Sequence, residues 1–280
     1  MEKAVALLEQ AFADWGEGRA QNQPRRRMRM PSGAVLHSLA GANEKYFGTK
    51  VYSTHAKHGA WFHFLLYDAQ TGRPLALFDA NWLGQIRTGA ASGVATKWLA
   101  REDASTVAVL GSGFQAASQL EAVRAVRKVD RAFVWSRTRA KAEAFANTHN
   151  AVVCESANEA VAQAGIVITM TSAKDPLFDD SAITPGTHIN AAGSNIANRA
   201  EVPAALVHRA DVVAVDSIEQ ARIEAGDLLL ADIDWSRVVE MKDRPVRSNA
   251  SAITLFKSIG LGLEDVAAAA HVYEAIIAGR

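Results

Sequence analysis

The strongest chemical signal lies in the backbone rather than in side chains. Val107-Ala108-Val109-Leu110 leads straight into Gly111-Ser112-Gly113-Phe114-Gln115-Ala116, and a helical pattern begins at once. A strand that ends in two closely spaced glycines and turns into a helix offers N–H groups and a positive dipole end to a phosphate. Gly111 permits the tight turn, Gly113 lets the backbone approach a pyrophosphate, and Ala116 lets helix and strand pack closely. The next apolar run ends in Ser136-Arg137-Thr138-Arg139, at the position where an acid would select a ribose 2′-hydroxyl. A guanidinium beside two hydroxyls suits a 2′-phosphate instead. The expected cofactor is therefore NADP(H), with NAD(H) admitted. Its expected binding set is Gly111, Ser112, Gly113, Phe114, Gln115 and Ala116 with Ser136, Arg137, Thr138 and, further on, Thr171.

Other side chains carry charge or protons. Lys50 sits in Gly48-Thr49-Lys50-Val51-Tyr52. In a strand flanked by apolar residues a lysine either snorkels outwards or does chemistry, and its ammonium can bond a carboxylate or protonate a developing amine. Upstream, Arg25-Arg26-Arg27-Met28-Arg29-Met30 concentrates guanidinium groups. If this stretch is extended, Arg26, Met28 and Met30 share one face and Arg25, Arg27 and Arg29 the other. The face with the methionines is expected to turn inward. A solvated basic edge strand is the plainer alternative. Arg87 reads plainly as a helix-terminal ion pair with Asp79. His55, His58 and His63 lack an acid or cysteine at ligand spacing, so no metal is expected. His63 remains a minor candidate proton donor. Cys154 follows Ala151-Val152-Val153 and reads as a buried strand residue. Glu224, Gly226 and Asp227 are expected to cap and turn the chain.

The scaffold for these residues is legible in outline. About half of the 280 residues are apolar and a fifth charged, and 30 Lys and Arg balance 30 Asp and Glu. That profile describes a soluble globular chain with no field steering it to nucleic acid or membranes. No apolar run reaches a bilayer span and no secretory pattern opens the chain, so a cytoplasmic protein is expected. Val5, Leu8, Phe12 and Trp15 have helical spacing, ended by Gly16 and Gly18. Tyr46 to Tyr52, Trp61 to Tyr67 and Pro74 to Phe78 read as strands of an antiparallel or mixed sheet. From Ser105 onward, short apolar runs alternate with amphipathic helices, which predicts a doubly wound parallel sheet covered on both faces, a Rossmann domain. Thr254 to Gly279 reads as one or two closing helices.

Four stretches occur in order: Ile86-Arg87-Thr88-Gly89-Ala90-Ala91-Ser92, then Gly111 to Ala116, then His188-Ile189-Asn190-Ala191-Ala192-Gly193-Ser194-Asn195, then Thr254-Leu255-Phe256-Lys257-Ser258-Ile259-Gly260. Together they resemble the ornithine cyclodeaminase/mu-crystallin family over nearly the whole chain. The family also has a short strand before the first helix, which this chain begins after. The resemblance implies an α/β Rossmann domain (101–245) inserted in a second α+β domain for substrate and dimerisation. That second domain would comprise residues 1–100 and returning helices at 246–280. It further implies a homodimer, a site in the cleft between domains, and hydride transfer at a carbon bearing nitrogen, on small imine or amino-acid substrates. By the same resemblance Arg26 is the carboxylate clamp with Arg29 in reserve, Lys50 the active-site lysine, and Arg87 and Thr88 contacts for carboxylate and cofactor phosphate. Family cyclodeaminases place an aspartate where this chain has Asn195. An amide is no general base near neutral pH, so the departure points away from ornithine cyclisation and towards reduction of ketimines. Amino-acid oxidation like that of alanine dehydrogenase and a non-catalytic ligand-binding role are the rival readings.

Overall fold

The computed structural model describes residues 1–279, which divide into two compact units. One comprises Ala6–Arg87 with the described residues from Gly260 onward; the other comprises Met1–Val5 and Thr88–Ile259. The divisions fall before the boundary at 100 and beyond the one at 245 expected from the sequence. Helix α1 (Glu2–Gly16) opens the chain and buries Val5, Leu8 and Phe12 at the expected spacing.

The first unit is a five-stranded antiparallel meander of β1 (Gln21–Arg29), β2 (Val35–Ala42), β3 (Tyr46–His55), β4 (Gly59–Asp68) and β5 (Pro74–Asp79), in sequential order. Its inner face packs Phe64 and Leu66 against Val266 and Ala269 of the chain's closing helix α9 (Gly262–Ile277). Where α9 begins, the two backbones touch. A Cβ on Gly262 would lie 2.4 Å from the carbonyl carbon of Ala40, and one on Gly41 would lie 2.4 Å from Leu263 N. Two glycines thus let the first turn of α9, with Glu264 and Asp265, settle on the sheet.

The register of β1 against β2 shifts between Gln23 and Arg26. Pro24 and Arg25 together occupy the space of one residue, a bulge, and both are buried. The bulge resets the alternation. Arg25 is only 4% exposed, whereas Arg26 points outward with Met28 (58%) and Met30 (47%). The expectation of an inward face carrying Arg26, Met28 and Met30 is corrected.

Helix α2 (Asn81–Leu99) contains the division at 87/88. The second unit is an eight-stranded sheet in which every pair is parallel. Its strands are β6 (Thr106–Leu110), β7 (Arg131–Trp135), β8 (Val152–Val153), β9 (Ile166–Thr169), β10 (His188–Ala191), β11 (Val212–Val215), β12 (Val238–Glu240) and β13 (Thr254–Lys257). They lie in the order β8-β7-β6-β9-β10-β13-β11-β12. Helices α3 (Phe114–Val126), α4 (Arg139–His149), α5 (Ala157–Ala162), α6 (Ala204–Arg209), α7 (Ile218–Glu224) and α8 (Gly226–Leu229) connect the later strands. Val107, Val109, Ile166 and Ile168 face Leu120, Val123 and Phe145 on one side; Ala108, Leu110, Val167 and Ile189 face Ala157, Val161 and Leu206 on the other. Strands apolar on both faces require this double cover. The order reverses between β6 and β9, which opens a crevice at the carboxyl ends of those strands.

The closing segment differs from expectation. Residues 254–257 form β13, wholly buried between β10 and β11, and only the residues from Gly262 are helical. Four residues cannot express a helical period, and burial on both faces favours a strand. Among the described residues no helix is long and apolar enough to cross a membrane.

Candidate active site

In the α/β unit, Gly111 has φ +115°, and a Cβ there would lie 2.2 Å from the carbonyl oxygen of Met170. Only glycine fits that close pass between the ends of β6 and β9. Gly113 differs: it precedes α3 as its N-cap, no side chain caps the helix, and a Cβ would meet nothing within 4 Å. The space above the loop is open, as a pyrophosphate requires. Ala116 is fully buried and its N–H returns to Gly113 O at 3.0 Å. Ser112 is half-buried and Phe114 exposed at the mouth of the loop, with Gln115 half-buried behind them.

After β7 the two arginines take different roles. Arg139 pairs with Glu143 (2.9 Å) and Glu155 (2.6 Å). Arg137 is exposed and has no hydrogen bond or ion pair among the described residues, with Ser136 and Thr138 on either side.

Thr171 lies against the glycine loop, its Cγ2 3.1 Å from where a Gly111 Cβ would stand. Its hydroxyl, however, donates to Glu201 Oε1 (2.8 Å), and its N–H donates to the same oxygen (2.7 Å). Glu201 Oε2 accepts from Gly193 N (2.7 Å) and the Thr169 hydroxyl (3.1 Å). Burial raises the pKa of Glu201 while Lys257 pulls it down. This carboxylate staples the ends of β9 and β10 together. Beside it Lys257 Nζ donates to Ser194 O (2.5 Å) and pairs with Asp227 Oδ2 (2.7 Å), whose Oδ1 accepts from Glu201 N (2.5 Å) and Val202 N (3.0 Å). Asp227 therefore holds backbone 26 residues away and a buried ion pair, beyond the local capping expected of it. Asn195 follows this staple, half-buried. Thr88 contributes its carbonyl to Gln119 Nε2 (3.2 Å).

The meander unit gathers a second constellation on its inner face. Lys50 Nζ from β3 donates to Asp265 Oδ1 (3.1 Å), and Arg87 Nε from α2 donates to the same oxygen (3.0 Å). Arg87 Nη1 reaches Glu264 Oε2 (2.9 Å). Arg25 Nη2 donates to Gly260 O (3.1 Å). Gly260 has φ +78°, and a Cβ there would lie 2.4 Å from Arg87 Nη1, so its missing side chain leaves room for the guanidinium. All three cations are nearly inaccessible. Burial foremost, then repulsion from Arg87, lowers the Lys50 pKa to about 8, with Asp265 opposing the fall. For Arg87 burial lowers the pKa, but Asp265 and Glu264 more than compensate and raise it on balance. Tyr52 and Phe62 present their rings 5.9 and 5.7 Å from the ammonium.

The structure thus brings Lys50 and Arg87 together and leaves Arg26 outside. Arg87 does not pair with Asp79, which instead accepts from Asn81 N (3.1 Å). His63 is exposed on the outer face of the sheet, so it does not join the cluster. Arg25, Glu264 and Asp265 were missed by sequence reasoning. Pro24 was the available signal, since proline inside a strand marks an edge or a bulge. Among the described residues no group of three His, Cys, Asp or Glu is placed to hold a metal.

A doubly wound parallel sheet with a glycine-rich turn from β6 into α3, together with a second unit bearing buried cations, defines a two-unit enzyme of the dinucleotide-binding class. Residues 1–280 match the model of the ornithine cyclodeaminase/mu-crystallin family, and the chain belongs to that family. It is 40% identical over 227 residues to a Delta(1)-pyrroline-2-carboxylate reductase of Bacillus cereus, covering 75% of this chain and 69% of the relative. It is 36% identical over 219 residues to the ketimine reductase mu-crystallin of Mus musculus, covering 77% of this chain and 70% of the relative. Among solved structures, the Thermococcus litoralis Delta(1)-pyrroline-2-carboxylate reductase in complex with NADH and L-proline superposes with a TM-score of 0.93. That match has 31% identity and covers 100% of this chain and 94% of the other.

Proposed function

We propose that the protein is a nicotinamide-dependent reductase of imines derived from α-keto acids, cyclic ketimine carboxylates in the first instance, with NADPH as the preferred cofactor. The observation that carries the reading is the buried Lys50, which shares the Asp265 carboxylate with Arg87 and whose pKa burial and two guanidinium groups lower. Such a cluster attracts a carboxylate and holds a proton ready to leave near neutral pH. The relatives' names point to the same C=N chemistry.

The residues of the α/β unit fit a dinucleotide. Gly111 and Gly113 leave the approach clear, the uncapped start of α3 faces it, and Arg137 is available for a 2′-phosphate. A bound reduced nicotinamide supplies the hydride. The chain's own residues do the rest. Arg25 and Arg87 bind and orient the substrate carboxylate, and Lys50 Nζ gives its proton to the substrate nitrogen. Asn195 carries no carboxylate to act as a base, so neither the loss of ammonia nor ring closure of a diamino acid is assigned to it. Two copies pair through the outer face of the meander, where Met28, Trp61 (52%) and Leu77 (68%) are exposed; sedimentation equilibrium reads that mass directly.

The test follows absorbance of NADPH, and separately NADH, with 1-pyrroline-2-carboxylate and 1-piperideine-2-carboxylate. NADPH is expected to be oxidised the faster. Arg137→Ala is expected to raise the KM for NADPH about 10-fold or more, the loss of a charge-assisted contact, and to leave that for NADH unchanged. No oxidation of either nucleotide across both imines would overturn the reading.

A further inference from the structure

We propose that Asp265 is the positioning residue of this site: its single carboxylate holds the Lys50 ammonium beside the Arg87 guanidinium and keeps Lys50 charged for transfer of a proton to the imine nitrogen. The inference deepens the reductase reading above and rests on it.

The geometry is specific. One oxygen, Asp265 Oδ1, receives both Lys50 Nζ (3.1 Å) and Arg87 Nε (3.0 Å). Glu264 takes a different nitrogen of Arg87, Nη1, so two adjacent carboxylates fix the plane of the guanidinium while Asp265 alone spans to the lysine. Asp265 is fully buried in the first turn of α9, where the helix dipole favours an anion. The facing glycines Gly41 and Gly262 hold that turn on the sheet, so the carboxylate has little freedom to follow a moving partner.

The groups around Lys50 show why an anion is needed there. Arg87 faces it from α2 and Arg25 from β1, both repelling its charge. The rings of Tyr52 on β3 and Phe62 on β4 border it, and Gly84 of α2 approaches so closely that a Cβ would lie 3.2 Å from Nζ. Among the described residues, Asp265 of α9 is the carboxylate in ion-pair contact with this ammonium. A buried amine repelled by two guanidinium groups sheds its proton without it.

The imine carbon accepts hydride from the reduced nicotinamide, which becomes oxidised, and the C=N π pair moves onto nitrogen. That pair forms an N–H bond with a proton from Lys50 Nζ. The Nζ–H bond breaks, and the neutral lysine regains a proton from water once the amine product leaves.

The experiment titrates Lys50 in the intact protein by NMR of ¹⁵N-lysine-labelled enzyme, with Lys50→Arg assigning the resonance, in wild type and Asp265→Asn. In D265N the Lys50 midpoint is expected to fall by at least one pH unit. The basic limb of the kcat profile for imine reduction is expected to move to lower pH by the same amount, and D265E to return both towards wild type. An unmoved Lys50 midpoint in folded D265N would overturn the proposal. Should D265N not fold, the wild-type titration decides. A midpoint below pH 7 means that Lys50 is neutral despite Asp265 and sinks the proposal, and one above supports it. Because the titration needs no substrate, a wild type that reduces no imine would remove the reductase reading while the titration still judged Asp265.

Discussion

Arg25 and Arg26 are neighbours in the chain, yet one is buried beside Gly260 and the other lies in solvent with Met28. A guanidinium in water gains little from a carboxylate, because both are already solvated. One held in a desolvated site contributes roughly 1.5–3 kcal/mol per charged hydrogen bond. Arg25→Met is therefore expected to raise the KM for an imine carboxylate about 10- to 100-fold on that basis, whereas Arg26→Met leaves it within about twofold. Steady-state kinetics on both variants checks this, and the reverse ranking would return the clamp to Arg26. The sequence could not make this choice, since the bulge at Pro24–Arg25 depends on how β1 registers against β2. Nor could it show Asp265, which meets Lys50 across 215 positions of chain. The glycine-rich turn from β6 into α3 was readable because strand, glycines and helix are contiguous.

At the scale of elements, two loop glycines with different surroundings separate folding from binding. Gly111 is confined by Met170 O, so any side chain there disturbs the junction of β6 and β9. Gly113 has a φ of −82° and open space where its Cβ would go, so alanine is compatible with the fold. If the phosphates of a dinucleotide approach that backbone, the added methyl stands in their path. Gly113→Ala is expected to leave Tm within about 2 °C, since no contact is lost or strained. It is expected to weaken NADPH binding at least about 10-fold, the cost of one disturbed phosphate contact. Thermal unfolding and fluorescence titration of bound NADPH read the two effects apart; unchanged affinity would mean that the nucleotide does not pass over Gly113. The parallel sheet was legible from its continuous apolar runs. β13 was not, because a four-residue segment between β10 and β11 gives no period and its neighbours are distant in sequence.

For the whole molecule, equal numbers of acids and bases leave no net charge at pH 7, and on mild acidification the buried groups that take up protons only in the unfolded state weaken the fold. His188 is fully buried in β10, its Nδ1 2.9 Å from the Thr254 hydroxyl and its Nε2 3.2 Å from the Asn190 side-chain amide. The amide also meets the Thr96 hydroxyl (2.9 Å), and the Thr254 hydroxyl donates to Leu99 O (3.0 Å), tying the end of α2 to the sheet. Burial foremost lowers the His188 pKa from 6.5 to about 3. The folded imidazole thus stays neutral where the unfolded one takes a proton. The unfolded state binds more protons between those values, so stability is complete above pH 6.5 and is lost as pH falls towards 3. By pH 5 the loss from this residue is about 2 kcal/mol, one and a half pH units at 1.36 kcal/mol each. His37, lowered to about 4 by burial and by Arg27, Arg25 and Arg29, acts in the same direction over a narrower window. Urea unfolding at pH 7.5 and pH 5 is expected to show this loss in wild type. His188→Gln is expected to be less stable at pH 7.5, yet to lose about 2 kcal/mol less on acidification, because glutamine has no proton to take up. An equal loss in both proteins would place the acid sensitivity elsewhere, with His37 the next group to test.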